Sequence, residues 1–141
     1  MSNELTGFGE QPEDRLDLDL ATTALLAKEE DLPMLLKMLA GQLQVSLSDR
    51  LTVEKEGGLF KKSDNIKSIE VAMGSDTFRA EVVKGRVTCS VGHTSGGIRI
   101  RSEQVGIDEW IKRLLDGLRA EAEHSQRARQ TLENIVYGGY A

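Results

Sequence analysis

Apolar residues spaced three and four apart predict a helix that starts near Glu30 and ends between Val45 and Ser48. The stripe at this spacing consists of Leu35, Leu36, Leu39 and Leu43. Asp31 can cap the first turn with its carboxylate, and Pro33 fits in that turn because no N–H is needed there. The pattern therefore predicts an amphipathic helix whose leucine face belongs to the core.

From about residue 51 to residue 101, the pattern changes to alternation of apolar and polar positions, interrupted by short glycine-containing turns. Alternation predicts about five short strands with one buried face, which is typical of an antiparallel sheet. The short turns favour a meander of hairpins. The residues expected on the inward face are Leu51, Val53, Ile69, Val71, Met73, Phe78, Ala80, Val82, Val87, Cys89, Val91, Ile98 and Ile100.

A second helical pattern begins near Gly106 or Ile107 and reaches about Val136. About thirty residues of helix would measure roughly 45 Å, whereas a strand of five or six residues spans only about 17–20 Å. We therefore expect a break, at Gly117 or near residues 123–125, or a projecting second half that needs cover from this chain or from a partner. The residues expected to contact a partner are Trp110, Leu118, Ala122, Ser125, Ala128, Leu132, Ile135 and Val136.

These patterns predict the α+β class, with an antiparallel sheet covered on one face by an N-terminal helix and a long C-terminal helix. We expect residues 1–28 to form an acidic, disordered tail, residues 29–137 a single domain, and residues 138–141 a short flexible end. Residues 16–20 alternate between leucine and aspartate. An alternative interpretation of that alternation is a short segment that adds a strand to a sheet edge or docks on a basic partner.

Charge is unevenly distributed along the chain, whose net charge is −5. Up to Ala27, six acidic residues stand against the single basic residue Arg15, so the remainder is close to neutral. A neutral folded part lacks the electrostatic footprint of a duplex-DNA-binding protein. Cys89 is the only cysteine, and neither a signal peptide nor a membrane-spanning apolar run is evident. We therefore expect a cytoplasmic protein that does not associate with membranes.

Groups that could perform catalysis are few. The predicted loop at residues 92–97 contains His93, Thr94 and Ser95, which could act on a ligand, and its glycines could bind an anion through backbone N–H groups. Glycine and serine are equally typical of an ordinary loop between strands. Glu121 and His124 have the i,i+3 spacing of a metal-binding pair, but no second pair accompanies them. We expect no catalytic residue, no metal site and no cofactor.

Basic residues offer a further candidate surface on the outward face of the predicted sheet. A modest basic patch would consist of Lys61, Lys62, Arg79, Arg86, Arg99 and Arg101. Single-stranded nucleic-acid-binding proteins add aromatic stacking platforms to such patches, and here the chain supplies only Phe60 and Phe78 nearby. A solvated face of mixed charge explains the same pattern.

The leading functional hypothesis is a non-enzymatic protein–protein interaction module: an adaptor, an assembly factor or a chaperone-like subunit. Its expected partner is another protein or a second copy of the chain, bound through the C-terminal helix. One alternative is a nucleic-acid-associated protein that uses the outer sheet face. Another is a small-ligand or enzymatic domain centred on His93.

Overall fold

The computed structural model describes residues 17–57 and 65–137, and within those ranges it has four α-helices and one five-stranded sheet. The elements in chain order are helices α1 (Leu18–Lys28) and α2 (Leu32–Leu47), a 3-10 turn (Ser48–Arg50), strands β1 (Leu51–Lys55), β2 (Ile66–Met73), β3 (Asp76–Val83), β4 (Arg86–Ser95) and β5 (Ile98–Val105), and helices α3 (Ile107–Ala122) and α4 (Gln126–Val136). Neighbouring strands all pair antiparallel in the order β1-β2-β3-β4-β5. The predicted α+β meander is therefore confirmed.

Two-residue turns fix the register of the hairpins. Lys84 and Gly85 connect β3 to β4 with φ angles of 53° and 79°. Gly96 and Gly97 connect β4 to β5 with φ angles of 60° and 84°. Turns with two positive φ angles match the right-handed twist of paired strands, which is why they favour tight hairpins.

Helices α2 and α3 cover one face of the sheet. The buried strand residues beneath them are Ile69, Val71, Met73, Phe78, Ala80, Cys89 and Val91. At the centre, Trp110 donates its Nε1–H to the Ser90 carbonyl at 3.2 Å and meets Phe78 edge to face. A Cβ at Gly117 would lie 3.1 Å from the Met73 methyl carbon, so this glycine lets α3 lie close to β2.

Helix α2 begins and ends where the sequence predicts. The Asp31 carboxylate accepts from the Met34 N–H at 3.2 Å, and Pro33 lies in the first turn. The helix ends at Leu47, and its leucine stripe is buried. The N-cap and the apolar spacing together were sufficient to define this element.

The C-terminal helical pattern breaks at residues 123–125, one of the two predicted places. Ser125 has extended backbone, with φ −143° and ψ 118°, and its hydroxyl accepts from the Ala128 N–H at 3.1 Å. Helix α4 therefore starts in a new direction and packs on α2, where the Thr131 hydroxyl donates to the Gln42 carbonyl at 3.4 Å. Its apolar face is covered by the same chain.

Residues 18–28 are not a disordered tail, so that expectation is wrong for this segment. Asp17 caps helix α1, which packs against α3 with Leu18, Ala21 and Leu25 buried. These residues recur at helical spacing, and that period outweighs the leucine–aspartate alternation at residues 16–20. Residues 1–16, and the flexible end expected at residues 138–141, lie outside the described residues.

None of the helices in the described part of the chain is long and apolar enough to cross a membrane.

Candidate partner-binding edge of the sheet

His93, Thr94 and Ser95 lie in strand β4 and not in the loop predicted at residues 92–97. The Thr94 N–H donates to the Ser75 carbonyl at 2.7 Å, and β5 pairs along the other side of this segment. Continued pairing on both sides explains why the strand runs on to Ser95 before the Gly96–Gly97 turn. A glycine-rich anion-binding loop is therefore absent at this point.

The His93 ring is held by a carboxylate. Its Nδ1 lies 3.0 Å from Asp76 Oδ1, and both side chains are 44% exposed. Arg101 lies opposite His93 on β5, so the three residues form a row across β3, β4 and β5. Among the described residues, no hydroxyl or thiol hydrogen-bonds to His93. The row therefore orients an imidazole but lacks the paired nucleophile of an acyl-transfer site.

Cys89 cannot supply such a nucleophile. Its side chain faces the core and is 2% exposed. Burial raises the pKa of its thiol to about 12, because the apolar core disfavours the thiolate. The residue serves as a small apolar core group, as its inward position in the sequence predicts.

A cleft of about 490 Å³ lies beside this row, between the β2–β3 turn and helix α3. Its charged lining is already paired. Arg50 hydrogen-bonds both carboxylate oxygens of Glu121, at 3.0 and 3.1 Å, and thereby lowers the pKa of Glu121. Arg113 hydrogen-bonds Glu109 and Glu103, which raise its pKa. No group of three His, Cys, Asp or Glu side chains within residues 17–57 and 65–137 is placed to hold a metal ion.

The predicted basic patch does not come together. Arg79 is paired with Glu70 at 3.3 Å and with Glu81 at 3.2 Å, which leaves no net positive charge there. Arg86 begins β4 and Arg99 pairs opposite Thr94, eight residues further along that strand, or about 26 Å away. Arg101 shares the helix-covered face with His93, so its predicted outward position is wrong. Lys61 and Lys62 lie outside the described residues.

The residues predicted to contact a partner lie largely inside the domain. Those that are buried are Trp110, Leu118, Ala122, Ala128, Leu132 and Ile135. Ser125 caps α4, and Val136 packs at the margin of the core. Because the break at residues 123–125 folds α4 back onto α2, these side chains cover one another. In this conformation they offer no surface to a second protein.

The two edges of the sheet differ sharply. Strand β1 has five residues, a register shift at Glu54–Lys55, and half-buried Leu51 and Val53 packed on the core. Strand β5 has eight residues, seven of which are exposed, and only its last residue, Val105, packs on the core. An edge strand presents one row of unpaired backbone N–H and C=O groups. Strand β5 is therefore the longer and more accessible edge.

Two exposed isoleucines mark this edge. Ile98 is 71% exposed and Ile100 is 61% exposed. Both were expected to be buried on the inward face, and the expected burial is wrong because α2 and α3 pack mainly on the other strands. A register shift between His93 and Thr94 leaves Ile100 without a direct partner on β4. Isolated exposed apolar residues are common on protein surfaces, but these lie along an unpaired backbone.

A signal for this edge was present in the sequence. One set of alternate positions in β5 reads Ile98, Ile100, Ser102 and Gln104, and the other reads Arg99, Arg101, Glu103 and Val105. Neither set is uniformly apolar, as a strand with one buried face requires. The pattern indicates a strand without a buried face, which fits an edge position.

Comparisons of the chain with protein-family models, with curated proteins and with solved structures find no match.

Proposed function

We propose that this protein is a non-enzymatic interaction module, such as an adaptor, an assembly factor or a chaperone-like subunit, that binds an extended segment of a partner along β5. The observation that carries the proposal is the open eight-residue edge with exposed Ile98 and Ile100. A segment that adds to a sheet edge gains main-chain hydrogen bonds, and alternate side chains give specificity. The partner is another protein or a second copy of the chain, in the cytosol.

The surroundings of β5 support binding in preference to catalysis. The described histidine–carboxylate pair has no associated nucleophile, and charged residues that line the neighbouring cleft, such as Glu121 and Arg113, already form ion pairs with residues outside it. An unpaired edge, in contrast, has backbone hydrogen-bonding groups that a further extended segment can pair with. Charges and the register shift on β5 limit unspecific edge-to-edge pairing, so a segment that binds here needs side chains that match this edge as well as main-chain hydrogen bonds.

The interaction surface proposed here is the sheet edge and not the C-terminal helix. Self-association through α4 would require Ile135 and Ala128, both fully buried, to leave their own core. A segment added to β5 requires no such opening. The edge is therefore the less costly place for either partner to bind.

Site-specific photo-crosslinking tests the proposal. A benzoylphenylalanine replaces Ile98 in one variant and Val83 in a matched control, since Val83 is also apolar, exposed (52%) and on the sheet but lies at the end of β3. We expect crosslinks from position 98 to one defined segment of a partner or of a second copy, and none to that segment from position 83. Equal crosslinking at both positions, or none at either, would contradict the proposal.

A second variant separates binding from folding. Ile98→Lys combined with Ile100→Lys adds charge to an edge whose side chains are exposed, so we expect an unchanged circular dichroism spectrum and loss of the crosslinked segment. Val83→Lys should leave the crosslink in place. Retention of the segment by the doubly substituted edge would contradict strand addition.

A further inference from the structure

The charges along β5 show which partner segment fits this edge. Arg99 and Arg101 are exposed, and neither has an ion pair with any residue in the described ranges. The other arginines near the sheet are mostly neutralised: Arg50 by Glu121, Arg79 by Glu70 and Glu81, Arg113 by Glu103 and Glu109, and Arg119 by Asp116. Arg99 and Arg101 therefore place two positive charges, neither of them in an ion pair with a described residue, on the same strand that has the unpaired backbone.

The acidic residue of this strand does not cancel that charge. Glu103 lies opposite Val91, on the helix-covered face, where its carboxylate accepts from Arg113 of α3 at 3.2 Å. Its negative charge is thus already matched by a helix of the same chain. The half of β5 nearest the Gly96–Gly97 turn remains positive.

The two arginines lie on opposite faces of the sheet. Arg101 lies opposite His93, and Arg99 lies opposite Thr94, the next residue along β4. Opposing residues share a face, and successive residues alternate between faces. The register shift at His93–Thr94 causes this arrangement, since two arginines separated by one residue in a regular strand would share a face.

The side chain of Arg99 also has a defined position. A Cβ built at Gly92 would lie 3.4 Å from both Cζ and Nε of Arg99, so the guanidinium group lies across a part of β4 that has no side chain. A larger residue at position 92 would displace the group. The absence of a side chain at Gly92 therefore leaves the Arg99 guanidinium on the outer face over β4, one strand in from the open edge.

We propose that the segment bound by β5 is acidic and carries carboxylates on both of its faces, which two neighbouring acidic residues provide. This inference rests on the proposed function and deepens it. Guanidinium groups bind carboxylates through paired hydrogen bonds, and Ile98 and Ile100 favour apolar residues at flanking positions. The backbone edge and the isoleucines favour a peptide over a nucleic acid, whose binding relies on a basic groove and aromatic platforms.

The test uses fluorescein-labelled nine-residue peptides of alternating threonine and valine, with Glu-Glu, Gln-Gln or Lys-Lys at the centre. Binding is measured by anisotropy, and contact with β5 is measured from the amide NMR resonances of residues 98–105. Exposed ion pairs are modest, so we expect the Glu-Glu peptide to bind about five- to tenfold more tightly than the Gln-Gln peptide. The Lys-Lys peptide should bind most weakly, and added salt should reduce the difference.

Variants assign the preference to the two arginines. Arg99→Gln with Arg101→Gln should abolish the advantage of the Glu-Glu peptide. Arg86→Gln removes the same charge at the far end of β4 and should leave the advantage intact. A peptide with its two glutamates separated by one residue, so that both lie on one face, should bind less tightly than the peptide with neighbouring glutamates.

The outcomes distinguish the two proposals. If all three peptides bind equally and shift the β5 resonances, the edge function stands and the acidic preference is wrong. If none binds and no β5 resonance shifts, both proposals fail. A dimer in sedimentation that Ile98→Lys dissociates would identify a second copy as the occupant, and tighter binding of a ten-nucleotide polythymidine strand would identify a nucleic acid. Either result overturns the acidic-peptide inference.

Discussion

Ile135 in helix α4 and Ile98 in strand β5 have the same side chain and opposite surroundings. Ile135 is fully buried, in a helix that packs on α2, whereas Ile98 is 71% exposed. Extended backbone at Ser125 turns α4 back onto its own chain. Strand β5 is the last strand of the meander, and no other strand in residues 17–57 and 65–137 pairs with its outer side. An apolar residue in the sequence favours burial, but the topology of the chain decides whether other parts of the same chain bury it.

The largest expected difference is in the reactivity of a thiol on the open edge and a thiol in the core. In an Ile98→Cys variant, the introduced thiol lies on the open edge, while Cys89 on the adjacent strand faces the core with a pKa of about 12. An exposed thiol has a pKa near 8.5, so its reactive thiolate is roughly a thousandfold more abundant at pH 8. We expect a fast and a slow phase of labelling with a disulfide reagent. Rapid labelling of both thiols would show that α2 and α3 do not cover the sheet.

The second prediction compares how much each of the two isoleucines contributes to the free energy of unfolding. Ile135→Ala should lower the free energy of unfolding by about 2–4 kcal/mol, because it leaves a cavity at a fully buried position. Ile98→Ala should change it by less than about 0.5 kcal/mol, because the side chain is already in solvent. Urea denaturation measures both values. Equal effects would mean that α4 is not packed on α2 as described.

The turn that redirects α4 has a smaller expected effect. Ser125→Ala removes the hydroxyl that accepts from the Ala128 N–H, and the loss of such a cap costs about 1 kcal/mol. The matched control is Ser102→Ala on the exposed edge, for which we expect less than about 0.5 kcal/mol. If thermal unfolding finds the two variants equally stable, the cap does not hold the break in place.

The smallest effect concerns the Arg50–Glu121 pair, which joins the start of the sheet to α3. Arg50 lowers the pKa of Glu121 in the folded chain, so the pair stabilises the protein above the pKa of an ordinary glutamate, about 4.3. This stability is lost as the pH falls through the lowered pKa of the folded state. Glu121→Gln should cost about 0.5–1 kcal/mol at neutral pH.

The control for this pair is an exposed glutamate elsewhere on the chain. Glu56→Gln should change the stability at neutral pH by less than Glu121→Gln does. As the pH falls, the difference in unfolding free energy between the Glu121→Gln variant and the unmodified protein should shrink. A difference that persists at pH 2 would argue against the ion pair as its source.

The sequence predicted well those elements whose signals are local. Asp31, Pro33 and the leucine stripe defined α2, and glycine-containing turns with alternation defined the sheet. The break at residues 123–125 was one of two candidates, because length alone shows that a helix must end but not where. Only the extended backbone at Ser125 and the packing on α2 locate it.

The candidate site was harder to predict, because it depends on relations between strands. Arg99 and Arg101 have the spacing of residues on one face, and the register shift at His93–Thr94 places them on opposite faces. No feature of the sequence predicts the one-residue shift in register between β4 and β5. The mixed pattern of β5 did signal an edge, but recognising it required both alternate sets of positions to be compared.

The helix break also bears on the order in which the chain folds. The hairpins of the sheet join residues that are close in sequence, whereas Thr131 meets Gln42 across 89 positions and Glu121 meets Arg50 across 71. Local contacts form quickly and distant ones slowly. During synthesis, the strands precede α3 and α4. The inward face of the sheet around Ile69 and Phe78 is therefore only partly covered until these helices have been made. We therefore expect reversal of the chain at Ser125 to be a late step in folding.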